Sequence, residues 1–302
     1  MCLYVKICGW IWVRQLRVSV VLLGVFASNV LWAQPITFPT SMSVGDKDLF
    51  VRVQPWYIRS ENDPSGRNRK LTEWNIRLMG IYGLTSKTAL FVVAPYIDRS
   101  WEDGGRWSNS NGFGDVELFL RRTIIEKNWA RRTFSISPFV GVKLPVGEET
   151  QKGFPEWHTL GSGSVDYLVG FAIRDATLGK PHRFFSARYM FNTQANGFER
   201  GDTFEVNAAI KPGLASWETK SGGLVGVNGM LESRVHWQNN HKRNGQRVVD
   251  TGGTVWSVTP GIVYTTHRLI FEMALRIPLV QQLNGNALKN DYQALVGVWR
   301  NF

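Results

Sequence analysis

Five histidines and two serines are the residues whose types could support hydrolytic chemistry. The histidines are His158, His182, His236, His241 and His267. A histidine can act as the general base for a serine that attacks an ester, and His158 lies a few positions before Ser162 and Ser164. The sequence has no Gly-x-Ser-x-Gly motif, and a catalytic triad is defined by geometry. A lipid hydrolase therefore stays an alternative, and no catalytic residue is predicted.

Thiol, metal and phosphate chemistry have weaker support. Both cysteines, Cys2 and Cys8, fall within the first 33 residues, and no spacing of His, Asp or Glu is typical of a metal site. The glycine pairs at 112/114 and 161/163 lack the further glycine and the helix that a phosphate-binding loop requires. We expect no metal and no cofactor.

Residues 1–33 have the layout of a secretory signal peptide. Lys6, Arg14 and Arg17 form a positive region, residues 18–26 form a short apolar run, and Ala33 offers a cleavage site. The alternative, a membrane-anchor helix, would need a run of about 20 apolar residues. We predict a cleaved signal (1–33), a periplasmic lead (34–46) and one exported domain (47–302). The lead would hang in the periplasm or fold into the interior of that domain.

The charge balance of the chain is basic. Loss of the signal would lower the formal net charge from +11 to +8. A basic surface can bind nucleic acid, but export argues against that partner. Membrane lipid and lipopolysaccharide, which carry phosphate, are the partners that we expect. A solvated basic surface with no partner is an equally simple explanation.

The exported part is a series of segments in which apolar and polar residues alternate with period 2, the pattern of β-strands with two different faces. The predicted strands are 47–60, 72–84, 88–98, 113–126, 132–147, 163–175, 183–194, 203–215, 224–238, 254–265, 268–282 and 291–302. No later segment approaches 18 consecutive apolar residues, so the chain could cross a bilayer only as a closed barrel.

The connections support a barrel in an outer membrane of the Gram-negative type. Those after the even strands are mostly short, whereas those after the odd strands are mostly longer and polar. Transmembrane barrels have short periplasmic turns and longer external loops. Trp74 and Tyr82, and again Trp256 and Tyr264, lie eight residues apart on the apolar face, as two aromatic girdles require. The predicted fold class is an all-β, transmembrane antiparallel β-barrel of about twelve strands.

The polar face would point into the lumen of such a barrel. Its charged residues, predicted to line a pore, are Arg52, Glu73, Arg77, Asp115, Glu117, Arg121, Lys143, Asp166, Arg188, Glu205, Lys211, Glu232, Arg234, Glu272 and Arg276. They would form either the wall of a solute path or a salt-bridged filling of a structural barrel without transport. If Glu126 pairs with Arg132, Asp115 lies opposite Lys143 and Arg121 opposite Ser137.

The final strand ends in an aromatic residue, Phe302, with Val298, Val296, Ala294 and Tyr292 on the same face and Arg300 interrupting it. Outer-membrane barrels commonly end in such a strand, which the barrel assembly machinery reads. We predict that Phe302 is an assembly signal and that this machinery is a partner.

Three stretches carry a family resemblance. Residues 112–122 (GFGDVELFLRR), 139–147 (FVGVKLPVG) and 160–171 (LGSGSVDYLVGF) resemble the "GxGD", "KLPTG" and "GTGSxD" strands of one group. With the signal and Phe302, they are similar to the outer-membrane barrels of the "MetA-pathway of phenol degradation" family, which are often labelled transporters. Val146 departs from the usual hydroxyl residue. The resemblance implies a porin-like pore or uptake channel for small compounds, aromatic or hydrophobic ones among them, rather than an enzyme.

Overall fold

The structure, a computed structural model, describes residues 34–148, 153–219, 223–266 and 268–302. Among these residues, no helix is long and apolar enough to cross a bilayer. The predicted signal peptide and His267 lie outside the described residues. The regular structure of the described ranges is β, with one short 3₁₀ turn at Glu156–His158.

Twelve strands make up the wall of the molecule. They are β1 (Leu49–Ser60), β2 (Lys70–Thr85), β3 (Thr88–Asp103), β4 in three segments (Arg106–Phe113, Val116–Arg122 and Ile125–Trp129), β5 (Arg132–Leu144), β6 (Asp166–Thr177), β7 (His182–Phe191), β8 in two segments (Thr203–Lys211 and Gly213–Glu218), β9 (Leu224–Gln238), β10 (Gly253–Thr265), β11 (Leu269–Leu283) and β12 (Tyr292–Asn301). Neighbouring strands pair antiparallel, and β12 pairs with β1, where Phe50 lies opposite Asn301. The barrel is therefore closed, and the predicted fold class is confirmed.

The two faces of each strand follow from the alternation in the sequence. In β2, Trp74, Leu78 and Tyr82 are exposed on the outside, whereas Glu73 and Asn75 are buried inside. Successive side chains of a strand point to opposite sides, and a wall that faces lipid must be apolar. In β5, β8 and β11 the apolar and polar positions of the period-2 pattern show the same distribution between the outside and the inside.

One predicted loop is in fact a hairpin. The sequence predicted a loop over residues 99–112, but β3 continues to Asp103 and β4 begins at Arg106. Gly104 and Gly105 both have positive φ, +58° and +80°, which is the backbone of the tight type I′ hairpin turn. The two consecutive glycines of the Asp-Gly-Gly-Arg stretch are typical of this turn. The prediction of one long polar loop over residues 99–112 overlooked them.

The predicted register of β4 and β5 is wrong. Trp129, rather than Glu126, pairs with Arg132, and farther along the strands Lys143 lies opposite Glu117 and Arg121 opposite Phe139. Between Arg121 and Ile125 the chain advances four residues, while their partners Phe139 and Ile136 are three apart. The extra residue in β4 is a bulge. It shifts the phase of the alternation at Ile124 and Ile125, which are both exposed.

The two ends of the barrel differ. We call the end with the short connections the turn end and the opposite end the loop end. At the loop end, loop residues build a second, four-stranded sheet from Gln194–Ala195, Phe198–Glu199, Lys242–Arg243 and Gln246–Arg247. Arg243 of this sheet pairs with Glu156 of the 3₁₀ turn at 2.7 Å. Three loops, β5–β6, β7–β8 and β9–β10, are thereby joined into one cap.

Candidate functional site

The fifteen charged residues predicted for the lumen face all lie on the inner side of the wall, by strand register and burial. Sequence reasoning missed two inner cations. Arg174 is buried on the same face as Asp166 and Ala172. Its residue number has the same parity as that of Asp166, which would have predicted its inner position. Arg99 lies in a stretch that was predicted to be a loop, and it binds Glu73 on the neighbouring strand with its Nε at 2.8 Å.

The three motifs of the family resemblance meet at the loop end. Asp115 accepts hydrogen bonds from the backbone N–H and the hydroxyl of Ser162, at 2.8 and 2.6 Å, and from the N–H of Gly147 at 3.3 Å. A Cβ on Gly161 would lie 2.2 Å from the Gly147 carbonyl oxygen, so this contact requires glycine. The motif residues therefore fasten the strand ends and loops of β4, β5 and β6 together.

A network of charged side chains crosses the inner wall. Glu205 pairs with Arg188 and Arg234, and Arg188 also pairs with Glu117 at 3.3 Å. His236 lies 3.3 Å from Glu205, at the loop-end side of this network. Both signs are present, so the wall of the barrel is strongly polar and largely paired.

Trp56 separates two arginines in the interior. The guanidinium groups of Arg77 and Arg276 lie 4.5 and 5.0 Å from its ring centroids, and the indole N–H donates to Gln54 at 2.9 Å. Trp56 has no exposed surface. The cation–π contacts stabilise two like charges inside one cross-section of the barrel.

The segment that precedes β1 runs inside the barrel. Ile36, Thr40 and Ser41 are fully buried, and Glu232 on β9 accepts hydrogen bonds from the backbone N–H of Ile36 and from the Thr37 hydroxyl. The sequence allowed residues 34–46 either to hang in the periplasm or to fold into the interior. In the structure the segment folds into the lumen. The apolar side chains at 36, 38 and 44 explain this choice, because they are withdrawn from water there.

The segment is held at its other end by β4 and β5. Arg121 donates to the carbonyl oxygens of Thr40 and Met42, and the hydroxyls of Ser41 and Ser135 lie 2.8 Å apart. Arg121 thereby compensates two backbone carbonyls of the segment, and Arg52 donates to a third, that of Ile36. The segment thus fills part of the lumen without belonging to any strand of the wall.

A cavity of about 280 Å³ opens at the loop end, above the charged network. Arg69, Trp101, Trp157, His158, Arg200, His236 and His241 are among its lining residues. A second cavity of about 1050 Å³ adjoins it and shares Arg69, Trp101 and Trp157 with it. The outer cavity also reaches Arg67, Arg106 and Trp107. This end of the barrel therefore has an entrance lined by arginines and aromatic rings.

The histidines and serines considered for hydrolysis do not come together. Ser162 donates to Asp115 and Ser164 to Asp166, while the ring of His158 packs on Trp101 at 4.7 Å. His241 uses its Nδ1 to accept the backbone N–H of Gly201 at 2.8 Å. Within the described part of the chain, neither serine has a histidine as its hydrogen-bond partner. The same residues contain no group of three His, Asp or Glu side chains that could hold a metal ion.

A closed wall of twelve strands, apolar outside and charged inside, defines a β-barrel of the outer-membrane type. The structure is similar to the crystal structure of an outer membrane channel from Pseudomonas putida F1, with a TM-score of 0.70 and 14% identity over 89% of this chain and 100% of that one. The β domain of the Bordetella autotransporter BrkA is a more distant likeness, with a TM-score of 0.45 and 8% identity over 85% of this chain and 100% of that one.

No family model matches the chain, and no curated protein matches it. At 14% identity, the likeness to the P. putida channel shows the fold. That fold is the one which the resemblance to the phenol-degradation family implied.

Proposed function

We propose that this protein is an outer-membrane channel that takes up small organic compounds, aromatic and hydrophobic ones included. The observation that carries the proposal is the inner wall, which is charged and polar although the interior is filled. Replacing buried ion pairs by packed apolar side chains is often neutral or stabilising. A barrel with only a structural role would therefore not require this wall.

The filling supports the same proposal. Residues 34–44 contribute no strand to the barrel, so their departure would leave the backbone hydrogen bonds of the wall intact. Their contacts with Glu232, Arg121 and Ser135 are side-chain hydrogen bonds that water can replace. We infer that the segment is a plug, and that its movement opens the path which the fifteen inner-face charges line.

The orientation and partners follow from this function. The loop end is external, the turn end periplasmic, and the apolar outer face contacts membrane lipid and lipopolysaccharide. Phe302 acts as the signal that the barrel assembly machinery recognises. The signal peptide delivers the chain to the periplasm.

A reversible cross-link between the plug and the wall tests the proposal. Residues 34–302 contain no cysteine, and the Ser41 and Ser135 hydroxyls lie 2.8 Å apart, so the double variant Ser41→Cys/Ser135→Cys is placed to form a disulfide. Proteoliposomes with this variant should take up a small aromatic solute after reduction and stop doing so after oxidation. The same treatment should leave uptake by wild-type protein unchanged.

The two single-cysteine variants are the matched controls, because they undergo the same chemistry without a cross-link. Absence of uptake by wild type and by the reduced double variant, with the barrel folded, would overturn the proposal in favour of a filled structural barrel. Uptake that persists at the wild-type rate after cross-linking would show that the plug does not gate the path.

A further inference from the structure

We propose that the loop-end cavity selects organic anions that carry a flat apolar body, such as aromatic carboxylates. This inference rests on the proposed function, because it names the class of solute that the channel would admit. It is carried by three features of the cavity: its aromatic walls, a cation without a counter-ion, and its position above the inner charges.

Flat rings form part of the wall of the cavity. Trp101 is 4% exposed and packs against His158 with ring centroids 4.7 Å apart. Trp157 stacks on His241 at 6.2 Å with the planes 25° apart. A cavity of about 280 Å³ lies near the lower end of the volumes that bind small molecules, which are roughly 300–1,000 Å³. Its size suits a body of one ring or of two fused rings.

The two imidazoles act as neutral walls. Burial, with nearby Arg99 as the next cause, holds the pKa of His158 well below its ordinary value. Burial also lowers the pKa of His241 to about 4. Both rings are therefore uncharged at neutral pH. The positive charge of the cavity comes from its arginines.

Arg200 supplies the charge that an anion would meet. Its Nη2 donates to the Thr159 and Gly161 carbonyl oxygens at 3.1 and 2.8 Å and lies 3.3 Å from the Thr159 hydroxyl. Its Nε is buried and has no hydrogen-bond partner among the described residues. Within the same residues, no carboxylate lies within 4 Å of this guanidinium group. A buried donor that lacks a partner is costly, and a carboxylate ligand beside this half-buried guanidinium group would compensate its charge directly.

The other arginine that lines the cavity already has a counter-ion. Arg69 pairs with Asp63, whose pKa is depressed by hydrogen bonds from that arginine despite burial. Among the described residues, Asp250 is the one carboxylate that lines the cavity. It is exposed and accepts the backbone N–H of Asn286 at 2.8 Å. Arg200 is therefore the group whose charge is available to a ligand.

The position of the cavity connects it with the path. Trp157, Trp101 and Arg69 also border the larger outer cavity, so a solute from outside would pass these side chains first. On the inner side, His236 lies 3.1 Å from Arg234, a member of the inner charge network. A bound anion would thus stand between the external solution and the charged wall.

Equilibrium dialysis of the detergent-purified full chain tests the inference without requiring transport. The probes are 2-naphthoate, the neutral 2-naphthalenemethanol and the cationic 2-naphthylmethylamine. Wild type should bind the carboxylate at least about tenfold more tightly than the alcohol, the factor that one charge-assisted hydrogen bond provides, and the amine most weakly.

Arg200→Gln should abolish the preference for the anion while the alcohol still binds. Arg131→Gln, the same substitution at an exposed arginine of the turn end, should change neither affinity. Trp157→Ala should weaken both the carboxylate and the alcohol. Heat-dependent gel mobility checks that each variant is folded, and Arg200→Lys, which keeps a charge, should restore part of the preference.

Equal affinity of wild type for the carboxylate and the alcohol would overturn the inference, and this comparison needs no variant. An unchanged preference in folded Arg200→Gln would also overturn it. Binding of the anion by a barrel that transports nothing would leave the inference standing and reject the proposed channel. Uptake without any preference for anions would support the proposed channel and reject the inference about the cavity.

Discussion

Lys143 and Asp166 form a direct pair across β5 and β6, with Nζ 2.6 Å from Oδ2. Asp166 has no exposed surface, and the more distant carboxylate of Asp115 lies 3.9 Å from the same ammonium group. Lys143 therefore neutralises two carboxylates which also hold the loop residues Ser162, Ser164 and Thr193. Its position favours a role in fastening the rim of the barrel.

Replacing Lys143 by methionine should destabilise the barrel by about 3–5 kcal/mol, because a buried carboxylate loses its partner. The measurement is the urea midpoint of the folded, heat-modifiable form. Lys87→Met, at an exposed lysine of the turn end, is the matched control and should be neutral. Adding Asp166→Asn to Lys143→Met should recover part of the loss. Wild-type stability of Lys143→Met would contradict this assignment.

Glu232→Gln should loosen the plug. Glu232 accepts N–H and hydroxyl hydrogen bonds from Ile36 and Thr37, and bonds to a charged group contribute about 1.5–3 kcal/mol each. In a Ser41→Cys background, a membrane-impermeant maleimide should label Glu232→Gln at least about tenfold faster. Glu218→Gln, an exposed glutamate of the turn end, serves as the control. Equal labelling rates in the two variants would argue against a plug held by Glu232.

The cap of loops should lose stability as the pH falls. The pKa of His241 is about 4 in the cap, lowered by burial and by Arg200, and about 6.5 once the loop opens. Protonation therefore favours the open loop, so the stability is fully present above pH 6.5 and is lost towards pH 4. At pH 5 the loss should be about 2 kcal/mol.

Hydrogen exchange of the Gly201 amide, corrected for the intrinsic rate, measures this change, because that N–H donates to His241. Protection should fall between pH 7.5 and pH 5 in wild type and change much less in His241→Gln. Barrel-strand amides serve as the internal reference. Equal pH dependence in the two proteins would exclude His241 as the group responsible.

Deletion of Phe302 should reduce the amount of folded barrel in the outer membrane and increase its degradation. Its backbone N–H donates to the Leu49 carbonyl at 2.9 Å, and the Arg300 guanidinium lies over its ring at 4.7 Å. Both contacts are peripheral, so the effect should fall on assembly and leave the urea midpoint of purified protein nearly unchanged. Phe302→Tyr, which keeps the aromatic ring, should assemble normally. If the deletion variant gave as much folded barrel as wild type, Phe302 would not be an assembly signal.

The sequence by itself determined where the strands lie and which of their side chains face inward. Because side-chain direction alternates with every residue of a strand, the apolar and polar positions of β2, β5, β8 and β11 revealed both the strands and the faces. The same alternation predicted the inner position of all fifteen charges. It would also have shown Arg174, which shares the parity of Asp166.

Contacts between distant segments were decided only by the tertiary structure. The β4–β5 turn closes at Trp129–Arg132 and β4 carries one extra residue, so Lys143 lies opposite Glu117 instead of Asp115. Alternation within a strand does not specify at which residues the turn closes. The plug depends on whether residues 34–44 fit the volume and polarity left by twelve strands, and the loop-end cavity depends on three loops meeting at His241 and Trp157. These arrangements arise from long-range packing, which selects among conformations that the local sequence allows equally.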